Sequence, residues 1–125
     1  MDTEYHIVHG RPVKVVPTQA EGAVVLKYSY DTGKFEHGME YLTRVTAGGE
    51  DVDHVSKDEF IQHVEELRRK KFADREGGVY DLYAVLNGFE DIACEKGRQL
   101  TDDEKVLIES IKRKSFQWFE SNPSN

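Results

Sequence analysis

Apolar side chains recur along this chain with two different periods, and the change from one to the other divides it. From residue 4 to 46 they come in short alternating runs of β-branched and aromatic residues broken by Gly and Pro, the pattern of strands. Residues 5–8 and 13–16 flank His9-Gly10-Arg11-Pro12, which reads as a hairpin. Val24, Leu26, Tyr28 and Tyr30 alternate with Val25, Lys27 and Ser29, so one face of that strand is strongly apolar and the other mixed. Asp31-Thr32-Gly33 is a three-residue hairpin loop with Gly33 at the left-handed position, and residues 34–45 form the return strand, with Gly38 marking a bulge or kink. Two consecutive hairpins give one antiparallel sheet of about four strands.

After Ala47-Gly48-Gly49-Glu50-Asp51, an acidic linker, the period becomes 3.6. Ser56-Lys57-Asp58-Glu59 is a capping box, with Val55 and Phe60 placed as a hydrophobic staple around it. Phe60, Val64 and Leu67 share a face with Ile61 at its edge, and Arg68-Arg69-Lys70-Lys71 meets the negative end of the helix dipole. Residues 79–96 carry apolar side chains around most of a helical wheel, which predicts a central helix capped by Gly97. Thr101-Asp102-Asp103-Glu104 opens a last helix in which Leu107, Ile111 and Trp118, flanked by Ile108 and Phe119, define the apolar side, and Asn122-Pro123 ends it. The expected fold class is α+β: a single domain over 1–125, with a sheet over 4–46 and helices over about 56–71, 79–96 and 101–121 packed on it.

Composition narrows the function classes. The chain has 125 residues with 24 acids against 17 bases, a formal charge of -7. That balance works against general attraction to nucleic acid or anionic lipid. The longest apolar run, residues 82–86, is far short of the ~20 needed to span a bilayer. Residues 1–6 have neither the basic nor the apolar region of a secretory leader. Cys94, the one cysteine, cannot form an internal disulfide and reads as a small core residue; a reducing, cytoplasmic setting is the expectation.

Candidate chemistry is thin. All five histidines, His6, His9, His37, His54 and His63, lie in the first half, but His6 and His9 point to opposite faces of a continuous strand, and no metal or other cofactor is assigned. An EF-hand loop begun at Asp51 fails at Val55, Ser56 and Gln62. Arg68, Arg69, Lys70 and Lys71 could merge with Lys112, Arg113 and Lys114 into a phosphate-contacting patch if their helices lay side by side. Glu90 falls inside the apolar arc of its helix, where a carboxylate could act with His37 and Tyr83 in a pocket between the sheet and that helix. Phe116 and Val106 lie away from the Leu107 and Ile111 side. Nucleophile elbows, zinc-protease motifs and phosphate-binding glycine loops are absent from the sequence.

With no catalytic signature, the leading expectation is a non-enzymatic module that binds a protein partner, regulating or inhibiting it, through Tyr28, Tyr30, Tyr41 and Phe116. A small enzyme or ligand-binding domain using His37, Tyr83 and Glu90 is the alternative, and nucleic-acid association through the basic clusters the third. An open sheet edge leaves room for a homodimer.

Overall fold

The alternating runs near the start fold as strands, and the helical periods fold as helices, in a computed structural model that describes residues 2–19 and 22–122. The α+β class read from the change of period holds. The chain forms two compact units, residues 1–64 and 65–125. No described helix is long and apolar enough to cross a membrane.

The first unit contains β1 (Glu4–Val8), β2 (Arg11–Thr18), β3 (Gly22–Tyr28), β4 (Phe35–His37), a 3-10 turn (Met39–Tyr41), α1 (Leu42–Ala47) and β5 (Val52–Val55). It also holds the start of α2 (Lys57–Lys71). The sheet is antiparallel with strand order β4-β3-β2-β1-β5. His9 and Gly10, at φ 51° and 83°, are the central pair of a two-residue hairpin turn, so Arg11 and Pro12 belong to β2 rather than to the loop. Gly33 takes the left-handed conformation expected of it, at φ 75°.

Two expectations for this unit are corrected. The return strand stops at His37: Gly38, whose N still donates to Val25 O at 2.9 Å and where a Cβ would lie 2.9 Å from the Lys27 side chain, turns the chain at φ -141°, ψ 47° into the 3-10 turn. Beyond it, Tyr41 and Val45 are four apart and the backbone becomes helical. The second correction is that the linker leads into a strand: Gly48 and Gly49, at φ 77° and 145°, turn the chain into β5, which pairs with β1 and brings the sheet to five strands.

Both faces of the sheet are packed. Val8, Val13 and Val25 form a core with Val15, Tyr41, Val45 and Val52 on one face, which α1 covers. On the opposite face Phe60 of α2 lies against Tyr5 and Phe35, with ring centroids 4.8 and 5.6 Å away. The Ser56 capping box forms in both directions: Ser56 N donates to Glu59 Oε1 at 3.3 Å, and Glu59 N donates to Ser56 Oγ at 3.1 Å.

The second unit contains residues 65–71 of α2, then α3 (Tyr80–Glu95) and α4 (Asp102–Ser121). Its core is Phe72, Val79, Tyr83, Leu86, Ile108 and Phe119. Gly97 closes α3 as expected, at φ 61°: Arg98 N donates to Ala93 O and Gly97 N to Cys94 O, the two bonds of a Schellman cap. Thr101 and Glu104 make the second capping box; Asn122 is the C-cap of α4, and Pro123 lies outside the described residues. The buried side of α4 is Ile108, Ser115, Phe116 and Phe119, with Ile111 packed against the core, whereas Leu107 and Trp118 are exposed: the inward face keeps Ile108, Ile111 and Phe119 of the wheel reading but is rotated from Leu107 and Trp118 toward Phe116. Val85, Ile92 and Cys94 are likewise exposed on α3, whose interior side is Tyr83, Leu86 and Ala93.

Candidate functional site

At one end of the sheet, on the face that α1 covers, Val8, His9, Arg11, Tyr30, Tyr41, Arg44 and Asp51 line a cleft of about 440 Å³. That volume lies in the range of small-ligand pockets. Each wall has a local cause. Arg11 follows the two-residue turn and shares Val8's face, Tyr41 ends the 3-10 turn, Arg44 projects from α1, and Asp51 precedes β5. The Arg11 guanidinium lies 4.8 Å from the centre of the Tyr30 ring and 5.9 Å from that of Tyr41. Its Nη1 donates to the Tyr41 hydroxyl at 3.0 Å. Arg44 is paired with Asp51, and His9 Nδ1 stands 3.9 Å from the same carboxylate. Two guanidinium groups against one carboxylate leave the cleft with a local excess of positive charge on an acidic chain. A planar guanidinium held between rings presents a fork suited to a carboxylate or phosphate.

The structure sorts the residues singled out from the sequence. Tyr30 is 48% exposed and Tyr41 half-buried, and both line the cleft; Tyr28 and Phe116 are 1% and 4% exposed and are interior residues, not partner-facing ones. Tyr28 is buried because it faces Phe35 across the β3–β4 pair, and Phe116 because it turns toward Arg68. His37 is exposed on β4. Tyr83 and Glu90 do not share a site: the Tyr83 hydroxyl donates to Glu65 at 2.6 Å, while Glu90 is exposed and pairs with Arg69 at 3.2 Å.

The basic clusters do meet in part, but around an acid. Glu66 accepts from Arg69 and lies 3.2 Å from Lys112, so the cations at this junction already have a carboxylate partner. Arg68 is 1% exposed and bonded to Glu65, which removes it from any phosphate-contacting surface. Lys71 is half-buried, with its ammonium 5.9 Å from the centre of the Phe72 ring; Lys70, Arg113 and Lys114 are exposed.

Arg69, opposed by desolvation and assisted by Lys112, holds the Glu66 carboxyl at about 2, against an ordinary 4.5. A carboxyl depressed by folding contributes stability that is complete above its unfolded value and is lost as pH falls toward the folded one. With the side chain 35% exposed, solvent screening limits the contribution to about 1 kcal/mol. Urea melts are expected to show Glu66→Gln less stable than the parent at pH 6, with the gap closing from pH 4.5 down toward 2. A gap independent of pH would exclude ionisation as its source.

Sequence reasoning missed Arg11, Arg44 and the buried acid Glu65. The alternation pattern places Arg11 in a loop and Arg44 in a strand. Glu65 and Arg68 had a usable cue: Ile61, Val64, Glu65, Arg68 and Phe72 form one helical stripe, and all five are buried. No protein-family model, curated protein or solved structure matches this chain.

Proposed function

We propose that the chain is a non-enzymatic interaction module in which the cleft between Tyr30, Tyr41, Arg11 and Arg44 receives an acidic segment of a partner protein, regulating or inhibiting that partner. The observation that carries this reading is the Arg11 guanidinium set between two tyrosine rings in a positively biased cleft. Arginine and tyrosine are the residue types that dominate binding energy at protein interfaces, and an aromatic cradle holds the guanidinium ready for a carboxylate. Overall acidity then works as a filter, since a partner must bring its negative charge to this one place to escape repulsion elsewhere. The lone cysteine, exposed on α3, is consistent with work in a reducing compartment such as the cytoplasm.

The cleft's volume also suits a small carboxylate or phosphate ligand, which is the second reading. Affinity capture from the native host followed by calorimetry with acidic peptides of the captured protein separates the two. Arg11→Ala and Tyr30→Ala are each expected to weaken peptide binding about tenfold, with affinity falling as salt rises. Tyr30 is about half exposed, so its variant keeps the fold, checked by circular dichroism. Capture unaffected by either substitution would place the interface elsewhere, and competition by a small anion without peptide binding would favour the second reading.

A further inference from the structure

We propose that Glu4, His6 and His54 form a binding site for a divalent transition-metal ion of the imidazole-binding class, such as zinc. No pair of these histidines is close in sequence; the β1–β5 register creates the site. His6 and His54 are direct partners across the two strands. His9 N donates to Asp51 O at 2.7 Å, so by the alternation of an antiparallel ladder the His6 and His54 pair falls at a non-hydrogen-bonded position, where facing side chains come closest. Their rings are 5.0 Å apart, and Glu4, two residues before His6, shares its face. One ligand atom from each of the three lies within 4.8 Å of the others.

The geometry is already partway to a metal site. His6 Nε2 and Glu4 Oε1 are 3.4 Å apart, about the spacing of two ligands on a tetrahedral ion with bonds of ~2.0–2.1 Å. His54 is exposed and has the rotamer freedom to close the remaining gap. His6 is the independent sign that something belongs here. It is 5% exposed, yet among the described residues neither ring nitrogen has a hydrogen-bond partner; the approach of Glu4 has an ion-pair distance without hydrogen-bond geometry. A buried imidazole with both nitrogens unsatisfied is uncommon, and a metal bond would satisfy one of them.

Two nitrogens and one carboxylate select among ions. Calcium and magnesium want sets of oxygens, whereas zinc, nickel and copper accept imidazole. Three protein ligands leave a coordination position for water or a ligand. Glu4 also lines a cleft of about 220 Å³ with Asp2, Val15, Pro17, Gly22 and Ala23, so there is space beside it.

The test is calorimetric titration of the full chain, stripped with chelator, with zinc chloride. The parent is expected to saturate at one ion, His54→Ala to bind at least 30-fold more weakly, and Glu4→Gln about tenfold more weakly. His37→Ala, an exposed histidine on β4, is expected to keep the parent affinity, and calcium to give no saturable binding. Zinc is expected to raise the Tm of the parent but not of His54→Ala. Because His6 is buried, its part is read without mutation, from the shift of its ring resonances in the zinc-loaded parent. Failure to saturate at one ion, parent affinity in His54→Ala, an equal loss in His37→Ala, or unmoved His6 resonances would each overturn the proposal.

Discussion

Glu65→Ala is expected to lower the folding free energy by about 3–5 kcal/mol, measured by urea unfolding. The Glu65 carboxylate is wholly buried, and its charge is answered by Arg68 Nη1 at 2.7 Å, the Tyr83 hydroxyl at 2.6 Å and the Ser115 hydroxyl. Removing the acid takes the carboxylate away from an interior guanidinium that also lies over the Phe119 and Phe116 rings, 4.0 and 5.8 Å from their centres. An interior cation that loses its carboxylate costs more than the lost bond, because less of its desolvation is offset. The Tyr83 proton is not an alternative source of charge: burial, with Glu65 beside it, pushes that hydroxyl far above its ordinary range.

The same reasoning predicts an asymmetry. Replacing both partners, Glu65→Leu with Arg68→Met, is expected to cost less than Glu65→Ala, about 1–3 kcal/mol, since neither charge is then left buried alone and the remaining loss is the acceptor of the Tyr83 hydroxyl; Ser115 keeps the Lys112 carbonyl. Glu90→Ala, which breaks an ion pair at an exposed glutamate, is expected to cost less than about 1 kcal/mol. If Glu65→Ala costs no more than Glu90→Ala, the network is not holding α2, α3 and α4 in register, and the burial of these charges has some other basis.

This network also shows where sequence reading stopped. Arg68 stood at the head of a run of four cations, and a run invites one explanation for all its members. A helix turns 100° per residue, however, so four consecutive positions cannot face one way: Arg68 is interior, Arg69 and Lys71 half-buried, Lys70 exposed. Helix ends were legible because capping is local chemistry. Both boxes and the Gly97 cap depend on residues within five positions of one another, and all three form. How far the inward face of α4 is rotated toward Phe116 was not legible, because Leu107 and Phe116 are both apolar and the choice between them is made by partners distant in sequence.

The candidate sites were less legible still. Arg11, Tyr30, the Tyr41–Arg44 stretch and Asp51 come from four separate places in the chain, and only the closing of the sheet and the 3-10 turn brings them to one cleft. Tyr30 and Tyr41 could be named from their residue type; the arginines that give the cleft its charge could not. His6 and His54 meet through β5, and four residues within an acidic stretch gave too short an alternation to distinguish a strand from a linker.

Phe60→Ala is expected to cost about 3–5 kcal/mol, and Phe60→Leu roughly 1–2, by the same urea measurement. The argument rests on how the first unit's sheet is covered. One face has the six-residue α1 and the side chains around Val8, Val13 and Val25; the other depends on the first turns of α2, where Phe60 is fully buried against Tyr5 and Phe35. Phe35 also carries the Lys14 ammonium 4.6 Å from its ring centre, and it packs edge-on to Tyr28, so the aromatic layer continues from β1 to β4 through Phe60. Truncating that ring opens a cavity which the flanking strands, β1 paired on both sides and β4 paired with β3, can only partly collapse into. Leucine keeps about half of the contact, hence the intermediate value. A cost below about 1 kcal/mol for the alanine variant would mean that the strands hold together without this layer, and that α1 and its core are sufficient to support the sheet.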